Sequence, residues 1–383
     1  MKINKIYYLL IFLFFTITSC KNDNNIVYEN KISDTSFVKI ENSYAKHFEI
    51  KHYNDYTVLK IINPWQNSEN ISFEYFLLEK GKIIPEHIKE KTIIRTPVKR
   101  IICMSTSHIV MIDAIGEVET IVGVSGKNYI NNYHIQNNKN ITDVGFEQGL
   151  NYELILNLKP DIIMLYGVEG ETAGYQKKLN ELGIKTFLNA EYLEDTPLAK
   201  TEWIKIIAAL YKKEKEAKII FDNIDTKYNK LKSLMDSIDY RPKILTGLPW
   251  NDTWYISSGN SNLAHLIKDA GAEFLYKSDT LSDVMALDIE AVTTQSSDAD
   301  FWINIGNINS KEEILMNDSR LNLINAFKKG KLYNNNAIVN KYGGNDYFES
   351  GIINPHIVLK DLIHIFHPET LPKHKLKYYR KIK

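Results

Sequence analysis

Cysteine is nearly absent. Only Cys20 and Cys103 occur in 383 residues, so neither a disulfide framework nor a thiolate metal cluster can be built. Net charge is missing too. The 47 Lys and Arg balance 47 Asp and Glu, which leaves no basic field for nucleic acid and no acidic tail. There is no Walker-type glycine loop, no GxSxG elbow, and no HxH or HExxH pattern. These absences argue against ATP hydrolysis by this chain, serine-hydrolase chemistry and a zincin-type centre. The one long apolar run, at 6–17, is too short for a comfortable transmembrane helix.

What is present fits a globular protein of more than one core. Hydrophobic residues make up 44% of the chain, and its length exceeds what a single core usually organises. Tyrosine is abundant at 23 residues; its apolar body and polar tip suit ligand surfaces. The richness in Asn, Lys and Ile is read as compositional bias and given no functional weight.

The N-terminus reads MKINKIYYLLIFLFFTITSC. Lys2 and Lys5 precede the apolar run, and Thr18 and Ser19 precede Cys20. This resembles a bacterial lipoprotein signal over 1–19, with Cys20 lipidated and 20–36 a polar tether. With Cys20 so used, a Cys20–Cys103 disulfide is rejected.

Residues 37–95 cluster apolar and aromatic residues between Asn, Asp, Pro and Gly punctuation, which predicts a β-rich extension. From Arg100 strands and helices alternate: RIICMS, SHIVMIDAIG, TIVGV, YELILNLK, DIIMLY. That pattern predicts a parallel sheet covered by helices, an α/β lobe over 96–197. Neither Gly nor Pro interrupts 199–240, and apolar residues recur there every three or four positions. The stretch 198–238 therefore reads as one connector helix, roughly 60 Å for about forty residues. Residues 239–383 alternate again and form a second α/β lobe. Two segments match in kind: NYELILNLKPDIIMLYG at 151–167 and LDIEAVTTQSSDADFWINIG at 287–306. Each has a Glu on the first turn of a helix, an Asp before an apolar strand and a Gly where the strand ends. This is read as an internal duplication.

The set RIICMSTSH, ITDVGFEQGLNYELILNLKPDIIMLYG and the long connector resembles the class III periplasmic substrate-binding proteins of ABC importers, over about 95–367. That family handles ferric siderophores, haem, cobalamin and some metals. The resemblance implies two Rossmann-like lobes, a monomer, an ABC permease with its ATPase subunits as partner, and no cofactor or catalysis. An iron complex or cobalamin is the expected cargo.

Ligands of open parallel sheets bind beyond the strands' carboxyl ends. In the first lobe those ends carry Ser105, Thr106, Ser107 and His108, then Phe146 and Glu147, then Tyr166 and Glu169. In the second they carry Trp250 and Trp254, with Asn345, Asp346, Tyr347 and Glu349 in the loop before the last helix. Each has a plainer reading. Helix capping alone accounts for Ser105 and Ser107, a satisfied helix-start histidine for His108, core packing for the tryptophans, and solvated rim charge for Glu147 and Glu169. The resemblance assigns Glu153 and Glu290, one per duplicated unit, to docking on permease arginines, while a first-turn carboxylate is also favoured by the helix dipole alone. Two other readings stand beside this one. Capture of a bare metal ion would need convergent His and carboxylate ligands, and no metal ligands are assigned. A surface enzyme of the same architecture would need an acid–base site that the spacing gives no reason to assemble.

Overall fold

In the computed structural model the described residues are 36–167, 169–278 and 284–383, with backbone only for 169–173. Cys20, the signal segment and nearly all of the tether lie outside them. None of the described helices is long and apolar enough to cross a membrane.

The first-lobe sheet runs, edge to edge, Thr186–Leu188, Ile162–Leu165, Ile101–Cys103, Ile121–Val124 and Thr142–Asp143, all parallel. The second-lobe sheet runs Glu273–Phe274, Lys243–Thr246, Phe301–Ile303 and Leu332–Asn334, parallel, with Arg380–Lys381 added antiparallel. Four strands correspond in chain order and in neighbours, so the duplication seen in the sequence is a duplication of topology. The matched Asp does the same work in both lobes. Asp161 Oδ2 accepts from the backbone N–H of Lys99 (2.7 Å) and Arg100 (3.1 Å) at the start of the first strand. Asp300 Oδ2 accepts from Lys243 N–H at 2.9 Å. A carboxylate here satisfies donors at the strand's entry and fixes its alignment with the neighbouring strand.

The expected forty-residue rod is a correction. The stretch is three helices, Pro197–Glu202, Ile204–Ala209 and Glu214–Ser233. Lys212 takes a left-handed backbone, φ 60°, between the second and third, and Lys213 is anchored to Ile115 O at 3.0 Å and to Glu117 at 2.8 Å. The last helix, about 30 Å long at 1.5 Å per residue, spans both lobes. Its Ala217 and Phe221 sit in the first-lobe core, and its Ile224 and Tyr228 in the second.

The β-rich extension is a sheet of Val38–Ile40, Phe48–His52, Thr57–Ile62, Ser72–Glu79 and Ile93–Thr96, side by side in chain order. It is no free appendage. Phe48, Ile50, Leu59, Ile61 and Tyr75 share a core with Phe187 and Trp203 of the first lobe and its helices. Glu202, fully buried, accepts backbone N–H bonds from Ser43, Tyr44 and Ala45, each at 2.8 Å. Glu194 accepts from Lys46 and His47 at 3.0 Å and from Trp203 Nε1 at 3.0 Å. The loop after the third strand crosses Gly167 so closely that a Cβ there would lie 2.7 Å from Pro64 O; only glycine permits that approach.

Candidate functional site

A cleft of about 980 Å³ opens at the carboxyl ends of the two parallel sheets. One wall holds Gln66 from the extension and Thr106, Tyr129, Tyr192 and Lys200 from the first lobe. The facing wall is rich in amides. Asn260 and Asn262 come from the entry of one helix, Asn304 and Asn307 follow the strand Phe301–Ile303, and Asn335 and Asn336 follow Leu332–Asn334. Asn345 makes a seventh, and Tyr255, Tyr347 and Phe348 add rings. Buried Asn334 shapes this wall. Its Oδ1 accepts from Ile305 N–H at 3.1 Å, and its Nδ2 donates to Gly306 O at 2.8 Å and Ile308 O at 3.0 Å. The loops carrying Asn304, Asn307, Asn335 and Asn336 are therefore cross-braced.

One end of the cleft is closed by contact between the lobes. Glu349, buried, accepts backbone N–H bonds from Asn131 and Asn132, both at 2.7 Å. Asn340 Nδ2 donates to Asn128 O at 3.1 Å, and Thr106 Oγ1 to Phe348 O at 3.3 Å. Gly344 presses on the same segment: a Cβ there would fall 1.9 Å from Tyr129 O.

Of the residues expected at the cleft, Thr106, Asn345 and Tyr347 stand on its wall. The others do not. Ser105 caps the helix Thr106–Ala114, accepting from Ser107 N–H, and its hydroxyl is 2.9 Å from that of Ser107. His108 is wholly buried, and burial pushes its imidazole down to about 3, so it is neutral and faces the core. Phe146 is exposed beside Tyr129, with centroids 6.2 Å apart. Glu147 pairs with the Tyr166 hydroxyl, and neither lines the cleft; burial first, then this carboxylate, raises the phenol above its usual range. Glu169 opens the helix Glu169–Glu181, and its side chain lies outside the described residues.

The tryptophans are corrected by strand parity. On Thr253–Ser257 alternate residues face opposite sides. Trp254 turns inward, fully buried, its Nε1 donating to Thr246 O at 3.0 Å and its ring 5.5 Å from Trp302. Its neighbour Tyr255 turns to the cleft. Trp250 is 66% exposed and off the wall. Asp346 accepts from Ser350 Oγ at 2.7 Å and stabilises its own turn. Glu349 ties the lobes together as described.

Glu153 and Glu290 are both exposed on the first turns of Tyr152–Leu158 and Ile289–Gln295. Glu290 is paired, at 3.2 Å, with Arg320, which also holds Asp252 at 3.0 Å and Asp318 at 2.6 Å. Among the described residues no group of three or more His, Cys, Asp and Glu converges as metal ligands.

A family model described as periplasmic binding protein matches residues 101–337. An uncharacterized lipoprotein of Methanocaldococcus jannaschii is 27% identical over 387 residues, covering 94% of this chain and 89% of that one. The fold is shared with two solved structures. A possible iron-binding, periplasmic solute-binding protein from Staphylococcus epidermidis has TM-score 0.56 at 19% identity, over 71% of this chain and 100% of that one. A periplasmic heme-binding protein from Pseudomonas aeruginosa has TM-score 0.56 at 16% identity, over 75% and 98%.

Proposed function

The chain belongs to the periplasmic binding protein family, and from that premise we propose that it is the solute-binding lipoprotein of an ABC importer, capturing an iron complex (siderophore or haem) or cobalamin between its lobes and handing it to the permease. The observation that carries this reading is the cleft. It lies where two related lobes face each other, and its size is at the upper end for small-molecule sites. Tyrosine rings and amide groups suit a bulky cargo with flat faces and a polar rim. A bare transition-metal ion would want imidazole, thiolate or carboxylate ligands, whereas this wall offers mostly amides and phenols, and its carboxylates Glu194 and Asp195 are held by the Lys46 and His47 N–H groups and Trp203, and by the Lys46 ammonium. The solved structures of like fold that are described as iron-binding and heme-binding favour an iron complex.

In this account the helix Glu214–Ser233 is packed into both cores and limits hinge motion to a modest opening. Cys20 carries the lipid, a reading supported by the lipoprotein relative. Glu153 and Glu290 dock on permease arginines, and Arg320 releases Glu290 in exchange. Binding involves no chemistry on the cargo. The double variant Glu153→Arg, Glu290→Arg tests delivery. Uptake of labelled cargo by cells should be abolished while the purified protein's affinity stays within about twofold, since exposed charges far from a cleft contribute little to it. Uptake that persists removes the docking assignment.

A further inference from the structure

We propose that the second-lobe wall of the cleft reads uncharged amide groups on the rim of the cargo, so that it takes a neutral, amide-bearing metal complex in preference to an acidic one. This rests on the solute-binding reading and narrows its substrate class.

The two walls differ in charge. Among the described residues, the second lobe puts no Asp, Glu, Lys, Arg or His on the cleft. Its side-chain polarity there comes from carboxamides and hydroxyls. The charged residues Glu194, Asp195 and Lys200 all stand on the first lobe, and the Lys46 ammonium, 3.0 Å from Asp195, balances that corner as two acids against two cations. Glu191 is buried nearby, and burial disfavours its charged form. A charge on the cargo set against the second-lobe wall would find no counter-ion there and would keep its desolvation cost.

That wall also holds polar groups left without partners. Thr246 ends the strand Lys243–Thr246, and Asn335 follows the strand Leu332–Asn334 of the same sheet. Thr246 is 3% exposed and Asn335 is 6% exposed. Both line the cleft, and neither the Thr246 hydroxyl nor the Asn335 carboxamide has a hydrogen-bond partner among the described residues. Neither group is sealed from the surface. Polar side chains set so deep are ordinarily paired; these two keep their bonding capacity for what enters the cleft. Their backbones are fixed. Trp254 Nε1 donates to Thr246 O at 3.0 Å, and Asn335 N–H donates to Asn334 Oδ1 at 3.1 Å. On the same wall Asn260 and Asn307 are exposed, their carboxamides also unpaired among the described residues. A carboxamide both donates and accepts, so it can meet an amide of the cargo through a reciprocal N–H···O=C pair. A carboxylate in the same place only accepts, and would set an anion against the asparagine carbonyl oxygens.

The test is calorimetric titration of the full chain in detergent, with probes that differ in charge. Cyanocobalamin is compared with its monocarboxylic acid derivatives, in which one peripheral carboxamide is a carboxylate. A neutral cyclic-peptide ferric trihydroxamate is compared with an analogue bearing pendant carboxylates. Haem serves as an acidic complex without amides. One of the neutral complexes should bind, which names the source of the amides, and an acidic counterpart should bind about tenfold or more weakly. Thr246→Val and Asn335→Ala should each weaken the neutral complex by about three- to tenfold, the weight of one neutral hydrogen bond. Asn260→Ala and Asn307→Ala, at exposed positions, carry the test should either of those fail to fold. Equal or tighter binding of haem or of the carboxylate-bearing analogues overturns the proposal and leaves the solute-binding reading intact, as does neutral binding indifferent to all these variants. Failure of every probe to bind overturns both.

Discussion

Replacing Glu202 by alanine should unfasten the β-rich extension from the first lobe. Glu202 is fully buried and gathers three backbone N–H groups at 2.8 Å and the Lys205 ammonium at 2.5 Å. Alanine leaves three donors without an acceptor in a site with little access to water. Each orphaned donor costs about 1–3 kcal/mol, and partial hydration of the loosened segment returns some of it. A net loss of about 4 kcal/mol follows, roughly a thousandfold in the local opening equilibrium. Glu202→Gln keeps one acceptor oxygen and should lose about half as much. The assay is native-state hydrogen exchange at the amides of Ser43, Tyr44 and Ala45, with first-lobe strand amides as reference. Exchange there should accelerate by two to three orders of magnitude (about 10²–10³) in Glu202→Ala while the strand Ile162–Leu165 stays protected. Acceleration below about fivefold would mean that the shared apolar core alone holds the extension and the carboxylate clasp is incidental. The result bears on binding, because the extension delivers Gln66 to the cleft.

Two further substitutions probe the lobes and the core. Glu349→Ala removes the acceptor of two 2.7 Å bonds between the lobes; about 2–4 kcal/mol of closed-state stability should go, and small-angle scattering should report a larger radius of gyration than in the parent, unchanged dimensions being the refuting result. His108 is held neutral by burial, its folded value near 3 against an ordinary 6.5. A depressed value means that its contribution is present above pH 6.5 and is lost as pH falls towards 3, by at most about 1.4 kcal/mol per unit; melting temperatures of His108→Gln should therefore decline less steeply than the parent's between pH 6.5 and 4, and parallel declines would contradict the assignment.

The architecture was legible because parallel α/β units advertise themselves through alternation and punctuation. The matched segments at 151–167 and 287–306 proved to be equivalent helix–strand units, down to the Asp that fastens the neighbouring strand. The break in the connector was not legible. Lys212 adopts a left-handed backbone without being Gly or Asn, and tertiary contacts of Lys213 fix it there. The general position of the cleft, beyond the strand ends, followed from the fold rule; the residues lining it largely did not. Strand parity exchanged Trp254 for Tyr255, since periodicity alone could not say which side of a short strand met the core. Asparagine was discounted as compositional, yet seven line the wall. For Asn304, Asn307, Asn335 and Asn336 the local signal was recurrence just past strand ends, in NIGNIN and NNN. Lys200 and Gln66 carried no motif at all. Their places on the wall arise from tertiary packing between distant segments, which no spacing rule reaches.

Titration of the full chain in detergent with iron complexes, haem and cobalamin, read by calorimetry, tests the central claim most directly. Tryptophan emission would be a poor reporter, because Trp254 is buried in the core and Trp250 stands off the wall. The account predicts saturable one-to-one binding of one cargo. That binding should weaken by about tenfold in Tyr255→Ala, through loss of an aromatic contact worth roughly 1–2 kcal/mol, and stay unchanged in Trp250→Ala. Binding that Trp250→Ala abolishes and Tyr255→Ala spares would place the cargo outside this cleft and contradict the account.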